Sequence, residues 1–511
     1  MLLIMWGSFM KRDSFFKESL ILTLSNLTTG VLGFMFSIIL SKELGAEGMG
    51  LYGLIMPIYN LFICLICGGM VTAISKVAAV YFGKNDYRNL NKSIHTSLMF
   101  DLIWGTIICI IFFTFSSFIS SHVIKDSRTL YSLKVIVPAL LFVGLSSILK
   151  GYFYGISQVK VPAFIDIFEK AVRIAVIVSV ISMLSAPSVT ETVTVAYIAL
   201  CIGEFISLIL LYIFYRFNRQ RTTAYNSLKK EGRAQLLFDV LVISFPLCLN
   251  GFISTGLNTL STLIVPRRLI SAGIEYSTAL SLIGKFTGMS MAIIFFPLIV
   301  VNSMSTVLIP DLSQTLDKKD YYALENRISQ VMQIAFLLGV ITLIISISIP
   351  DSLGQLFFNR NDLGPYIRFA ALSVPLTYTS ATTFSILNGL GRQGIVLRNS
   401  LIVSIEEVIL LYIFTGIPSI NIFGYGISLI ITSLTLLTLN IIEIKKYCRI
   451  SFSPAELIIY ILLSILIYFI LLIANNLIPS TLFALKNIFI ITLGFTSYFL
   501  CIHIINKESF N

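Results

Sequence analysis

The chain has 511 residues, of which 56% are apolar and only 12% charged, with a formal net charge of +11. A bilayer-crossing helix uses roughly 20 residues, so the apolar content suffices for about fourteen crossings. The charged share is about half that of a soluble domain. These figures exclude a soluble enzyme, a disordered chain and a nucleic-acid-binding protein, because the cations are spread over short stretches between apolar runs.

In chain order the apolar runs fall at about 14–41, 48–81, 93–119, 130–150, 160–184, 191–215, 237–265, 276–309, 323–349, 364–387, 396–416, 421–443, 454–475 and 484–505. Isolated segments satisfy their backbone in lipid only as helices, and the alternation of a β-barrel is not found. The expected fold is therefore an all-α polytopic membrane protein with fourteen transmembrane helices.

Lys and Arg set the orientation. With the N-terminus inside, most of the 36 Lys and Arg residues fall in inside loops, above all in the basic linker 216–236. Both termini are expected in the cytoplasm. The expected organisation is a cytoplasmic segment 1–13, a first lobe 14–215, the linker 216–236, a second lobe 237–443, two further helices in 454–505 and a tail 506–511. Met1 to Phe9 lack a basic n-region, so a cleaved signal peptide is not expected. Met10, ahead of Lys11 and Arg12, is an alternative start.

Lys84-Asn85-Asp86-Tyr87-Arg88-Asn89-Leu90 recurs as Lys318-Lys319-Asp320-Tyr321-Tyr322-Ala323-Leu324, at an offset of 234 residues. Gly155 and Gly389 share that offset. Ser41-Lys42-Glu43-Leu44 resembles Pro266-Arg267-Arg268-Leu269 at a shorter one. Helices 1–6 and 7–12 thus read as two copies. An even number of helices per copy makes the repeat parallel, about an axis along the membrane normal. Two such lobes around a cleft that opens alternately to each side are a transporter architecture, an inference from fold alone.

Charged residues deep in a membrane helix are costly and point to function. Lys285 sits about nine residues into helix 8, near the midplane. It calls for a polar cleft or a carboxylate partner. Glu169 and Arg173 lie four apart on helix 5 with the acid N-terminal, a favourable pairing. Either an ion pair or a substrate contact fits. Lys170 faces another way, and Lys76 lies near the cytoplasmic end of helix 2, where snorkelling competes with lining a cleft. Glu406 and Glu407 lie mid-depth in helix 11 and Glu204 in helix 6, with Asp101 and Asp166 shallower. Desolvated carboxylates of this kind suit a coupling proton or Na⁺. Pro57, Pro138, Pro246, Pro297 and Pro375 are expected to interrupt helices 2, 4, 7, 8 and 10. Gly68-Gly69 invites close approach of a neighbouring helix.

Other motifs are missing. His95, His122 and His503 are far apart and form no metal motif. Cys64 and Cys67 lie within an apolar helix and read as small buried residues, and no disulfide framework is apparent. No phosphate-binding glycine loop occurs, so ATP is not consumed by this chain. The short outside loops, with no Asp-x-Asp pair, argue against a membrane glycosyltransferase, and no enzymatic activity is expected. No cofactor is expected.

Several segments carry a family likeness. Phe15-Phe16-Lys17 leads into helix 1, followed by Val31-Leu32-Gly33-Phe34, the run Leu44-Gly45-Ala46-Glu47-Gly48-Met49-Gly50-Leu51-Tyr52-Gly53-Leu54, Pro57-Ile58-Tyr59, Gly68-Gly69 and Ala73-Ile74-Ser75-Lys76. Together they resemble the stage V sporulation protein B family of polysaccharide and lipid-linked-oligosaccharide exporters. That family shares a superfamily with MurJ-type lipid II flippases, Wzx-type flippases and the multidrug and toxin extruders. Val265-Pro266-Arg267-Arg268-Leu269 with Ala272-Gly273 resembles the start of that family's second lobe, and Val307-Leu308-Ile309-Pro310-Asp311-Leu312-Ser313 the close of its eighth helix. The likeness fades after about residue 400. Family members often carry arginines near the Leu-Gly-Phe segment of helix 1. Here Thr28, Thr29, Phe36 and Ser37 flank it.

The resemblance implies a fourteen-helix carrier in the bacterial cytoplasmic membrane. It would flip an undecaprenyl-pyrophosphate-linked saccharide outward, in wall or spore-cortex synthesis. Helices 13 and 14 would line a groove for the lipid tail. A diphosphate needs cations, so Lys285, Arg267 and Arg268 are its expected ligands, with Lys76, Lys42 and Arg173 behind them. Glu169, Glu204 and Glu406 are the expected coupling-ion residues, driven by a H⁺ or Na⁺ gradient or the membrane potential. Expected partners are the bilayer, the lipid-linked substrate and wall-synthesis enzymes, with no nucleic acid. Two other readings stay open at this point. One is a cation-coupled multidrug antiporter of the same superfamily using those carboxylates. The other is a non-transporting scaffold for wall synthesis.

Overall fold

The structure, a computed structural model, describes residues 14–183, 188–218, 231–448, 454–479 and 482–508. The segment 1–13 with its alternative starts, most of the linker 216–236 and the end of the tail 506–511 lie outside the described residues. So do the side chains of Lys17, His503 and Lys507.

Every regular element among the described residues is helical. In order they are α1 (Ser14–Cys67), α2 (Met70–Gly83), α3 (Tyr87–Phe118), α4 (Leu130–Val135), α5 (Val137–Gly155), α6 (Lys160–Met183), α7 (Val189–Asn218), α8 (Arg233–Ser271), α9 (Tyr276–Ile283), α10 (Met291–Phe295), α11 (Leu298–Asp317), α12 (Tyr321–Ser348), α13 (Pro350–Phe358), α14 (Gly364–Ala371), α15 (Val374–Gly389), α16 (Gln393–Phe414), α17 (Phe423–Ile444), α18 (Pro454–Leu477) and α19 (Phe483–Glu508). Wider π-type turns follow α3 (Ile119–Ile124) and join α9 to α10 (Gly284–Ser290). Each apolar run read from the sequence is helical over most of its length.

Ten helical stretches are long and apolar enough, by length and composition, to cross a membrane. One of them, Thr23–Gly83, covers the second run and most of the first. The runs at 160–184, 364–387 and 396–416 fall outside that set for visible reasons. α6 carries Asp166, Glu169, Lys170 and Arg173, the tenth run is broken between α14 and α15, and α16 carries Arg398, Glu406 and Glu407. Large apolar side chains such as Ile103, Ile110, Phe113, Phe205, Phe245, Ile461 and Leu485 are exposed, as lipid-facing surface is. This is a multi-pass membrane protein.

Not every expected break occurs. Pro138 and Pro375 open α5 and α15, where the missing N–H has no partner to lose, and Pro297 caps α11. Pro57 and Pro246, expected to interrupt helices 2 and 7, instead lie within continuous helix. A lost intrahelical bond is tolerated where neighbouring helices pack around the site. The breaks fall at glycines: Gly45 has φ 66° and ψ −172°, and Gly69 has φ 73°. These left-handed values suit glycine.

The chain forms two compact units, residues 1–44 with 51–263 and residues 45–50 with 264–511. In the first, α5 packs against α2, α3 and α7, and α6 against α7. Leu51, Leu54, Ile74, Phe112, Tyr152, Phe153 and Tyr197 are fully buried there. The end of α1 meets α8 closely at Gly68 and Gly69. A Cβ on Gly68 would lie 2.9 Å from Cys248 Cα, and one on Gly69 2.9 Å from the Ser244 carbonyl oxygen. In the second unit, α15 packs against α11, α12 and α17, and α18 against α12 and α19. Its core includes Leu312, Leu324, Ile328, Met332, Ile386, Leu387 and Ile444. Gly50 and Gly284 in this unit bring the 45–50 segment onto α9 and the π turn. A Cβ on either would strike a carbonyl, that of Leu280 or of Ala46.

The repeated turn takes the same backbone path in both copies. Lys84 and Lys318 close a helix, Asn85 and Lys319 adopt φ 55° and 57°, and Asp86 and Asp320 cap the next helix. Each Asp accepts a 3.0 Å bond from the backbone N–H three residues on, Asn89 or Ala323. Gly155 and Gly389 are also equivalent. A Cβ on Gly155 would meet Ala78 and the Ser75 carbonyl. One on Gly389 would meet Leu312 and the Ile309 carbonyl, each 234 residues later.

Candidate functional site

In the first unit, the four-residue spacing puts Glu169 and Arg173 on one face of α6, against α7. The Arg173 guanidinium bridges two acids: Nε pairs with Glu169 Oε1, and Nη2 donates to Glu204 Oε1 at 2.5 Å. Lys170 Nζ lies 3.5 Å from the other Glu169 oxygen. Two acids and two bases balance. Tyr52 and Tyr59 lie within electrostatic reach of Arg173. The Tyr52 and Tyr197 rings stack at 4.9 Å, and Tyr197 Oη donates to the Tyr52 carbonyl at 2.8 Å. Lys150 and Asp166 form a separate 2.7 Å pair. Each cation of this unit's buried cluster therefore has an acid of its own, and Arg173 offers little positive charge to a ligand.

In the second unit the balance is reversed. Lys285 emerges from the π turn between α9 and α10, a geometry frequent at functional sites. Its Nζ lies 2.8 Å from Asp362 Oδ2, and its side chain is only 19% exposed. Asp362, in the segment between α13 and α14, also receives Arg360: Nε donates to Oδ1 and Nη2 to Oδ2, both at 2.8 Å. Two cations thus share one carboxylate. Hydrogen bonds from Arg360 and then Lys285 hold the Asp362 carboxyl well below the usual range, against the opposing effect of partial burial.

The remaining expected residues are dispersed. Arg268 lies along α16: Nε donates to the Tyr412 carbonyl at 2.8 Å, and the guanidinium carbon sits 4.2 Å from the Tyr412 ring centre. It occupies the space left by the missing side chain of Gly416. Arg267, Lys42 and Lys76 are exposed. Glu406 accepts a 3.0 Å bond from Thr435 Oγ1 through one oxygen, while its other oxygen is buried without a hydrogen-bond partner. The structure thus joins Arg173 to Glu169 and Glu204, and leaves Lys285, Arg268 and Glu406 in separate surroundings.

Sequence reasoning missed the Arg360–Asp362 partner of Lys285. An Arg-x-Asp pair in the short segment between α13 and α14 was the available signal. It also missed a buried amide ladder in the second unit. There Asn399 Nδ2 donates to Asn440 Oδ1 at 2.9 Å, and Asn440 Nδ2 to Thr383 Oγ1 at 3.0 Å. Among the described residues, no group of His, Cys, Asp and Glu could hold a metal ion.

Comparison with known proteins bears on the family and the fold. The family described as polysaccharide biosynthesis protein matches residues 15–316. Stage V sporulation protein B of Bacillus subtilis (strain 168) is 26% identical over 450 residues, 88% of this chain and 86% of that protein. The lipid II flippase MurJ of the same organism is 23% identical over 461 residues, 86% of this chain and 84% of that one. A solved structure of the lipid II flippase MurJ in an inward closed conformation superposes with a TM-score of 0.71. It covers 96% of this chain and 99% of the other at 15% identity, a likeness of fold.

Proposed function

The chain belongs to the polysaccharide biosynthesis protein family, and on that premise we propose that it carries a lipid-linked saccharide across a bacterial cytoplasmic membrane by alternating access. The cargo is a saccharide on an undecaprenyl pyrophosphate, and the protein is a carrier rather than an enzyme. The reading includes fourteen crossings, two six-helix lobes at 14–215 and 237–443, a C-terminal pair in 454–505, and cytoplasmic termini.

The observation that carries the reading is the Lys285–Asp362–Arg360 cluster. Two cations on one carboxylate leave surplus positive charge at a π turn of an otherwise apolar helix. A diphosphate offers what that cluster lacks, a second anionic partner with several acceptor oxygens. Asp362 then acts as a placeholder, holding Lys285 extended until the cargo takes over. Arg267 and Arg268 serve as secondary cations, with Lys42 and Lys76 at the exposed edge. The Glu169–Arg173–Glu204 cluster is an internal strut and a store of carboxylates for coupling to a H⁺ or Na⁺ gradient or the membrane potential, with Glu406 a second such acid.

The test is flipping of a fluorescent undecaprenyl-pyrophosphate disaccharide in proteoliposomes, with Lys285→Glu alongside. Transport by the wild type that is lost in the variant supports the reading. No transport by folded wild-type protein, with or without an imposed ion gradient, removes it.

A further inference from the structure

α3 carries a row of buried polar groups that the proposed cargo site does not use. Asn89, Ser93, Ser97 and Asp101 recur every four residues, so they share one helix face, and all four are buried. The row starts at the first turn of α3 and climbs about 6 Å per step. Asp101 is fully buried, and neither of its oxygens has a hydrogen-bond partner. The hydroxyls of Ser93 and Ser97 also lack partners, as does that of Ser146 on α5. Across from Asp101 stands Gly144 of α5, where a Cβ would come within 2.6 Å of Asp101 Oδ2. The glycine thus makes room for the carboxyl itself.

A bare carboxylate in such a place is costly. Helices that packed purely for stability would put an apolar residue or a partner there. The groups facing Asp101 supply no counter-charge. Cys67 of α1 and Cys109 of α3 are the titratable groups close by. Among the charged residues on the packed helices, Lys150 of α5 is paired with Asp166, and Lys134 of α4 lies over the Phe113 ring. Lys76 of α2 and His95 of α3 are exposed.

We propose that Asp101 is a proton-binding site, loaded from the N-terminal end of α3 along the Ser93–Ser97 row, and that it adds a coupling proton of its own to the carboxylates already named for this carrier. The carboxylate takes one proton from water at the start of the row and becomes a neutral acid, and returning the proton restores the charge. The binding site itself stands on the structure of the first unit. Only its coupling role rests on the transport reading above.

The test uses full-length protein in proteoliposomes and dicyclohexylcarbodiimide, which reacts with protonated carboxyls in apolar surroundings, with mass mapping of the adduct. Asp101 should be labelled, labelling should fall as pH rises, and 100 mM (about) NaCl should leave it unchanged because the salt only screens exposed charge. Ser97→Ala should slow labelling without changing the melting temperature by more than the small shift of a single lost hydroxyl. Asp101→Asn, a neutral isostere, should stay folded, lose the adduct and abolish pH-driven transport. Absence of the Asp101 adduct in folded wild-type protein overturns the proposal, and so does protection by Na⁺, which would make the site a sodium site. Labelling at Asp101 in a protein that flips no lipid-linked saccharide sustains the proton site while removing the transport reading.

Discussion

Gly203 makes room for Arg173. A Cβ at position 203 would come within 2.8 Å of Arg173 Cγ and 2.9 Å of Glu169 Oε1. A glycine on α7 is thus the reason a guanidinium on α6 reaches Glu204 beside it. Gly203→Ala should overpack this contact and cost about 1–3 kcal/mol. Glu204→Gln, which keeps the shape, should leave the packing intact but weaken the ion pairs. Melting temperatures in detergent for both variants check the order, and an unchanged Gly203→Ala protein would show that the cluster can shift aside.

The Lys285–Asp362–Arg360 cluster predicts a pH dependence with a definite sign. The folded Asp362 carboxyl titrates below its unfolded value. Its contribution is therefore complete above the unfolded value of about 3.9 and fades as pH falls through the lower folded one. The stability difference between wild type and Asp362→Asn should be constant from about pH 7 to about pH 5 and narrow below about pH 4. Thermal unfolding across that range is the measurement. Widening on acidification contradicts the assignment.

Arg268 is held by a carbonyl and by an aromatic face, on which its planar guanidinium lies. Arg268→Lys keeps the charge but loses the stacking, at a cost of about 0.5–2 kcal/mol. Gly416→Ala should have a similar effect from the other side, since its Cβ enters the space of the guanidinium. If the two effects are additive in the double variant, the residues do not share one contact; strong non-additivity is the expected result.

The twin turns predict unequal effects. Asp86 is buried and holds both the Asn89 backbone N–H and its side-chain amide, at 3.0 and 2.8 Å, whereas Asp320 is exposed. Substituting an N-cap by Ala costs about 0.5–2 kcal/mol. Asp86→Ala belongs at the upper end and Asp320→Ala at the lower, readable as a difference in unfolding temperature.

How far the sequence could be read follows from the range of each interaction. The helices were legible because apolar runs of membrane length have one backbone solution. The repeated turn was legible because an Asp cap and a left-handed residue are fixed within four positions of chain. The Glu169–Arg173 pair was legible from its spacing, yet Glu204 joins it only through the packing of α7 on α6. The Arg360-Asn361-Asp362 motif was visible but could not be matched to Lys285, because nothing local links a π turn in one helix to a segment many residues downstream. Pro57 and Pro246 misled for the same reason: whether proline breaks a helix depends on what surrounds it.

The meeting of α1 with α8 has a practical consequence. Cys64 Sγ points to the Cys248 carbonyl at 3.6 Å, and Cys248 Sγ to the Cys64 carbonyl at 3.1 Å. The first part of α8, up to Leu263, belongs to the first compact unit although it follows the basic linker in sequence. A gene divided within that linker would therefore yield a second fragment bearing a helix whose native packing lies in the first fragment. Such a helix is a tether, and the divided protein carries its own means of complementation.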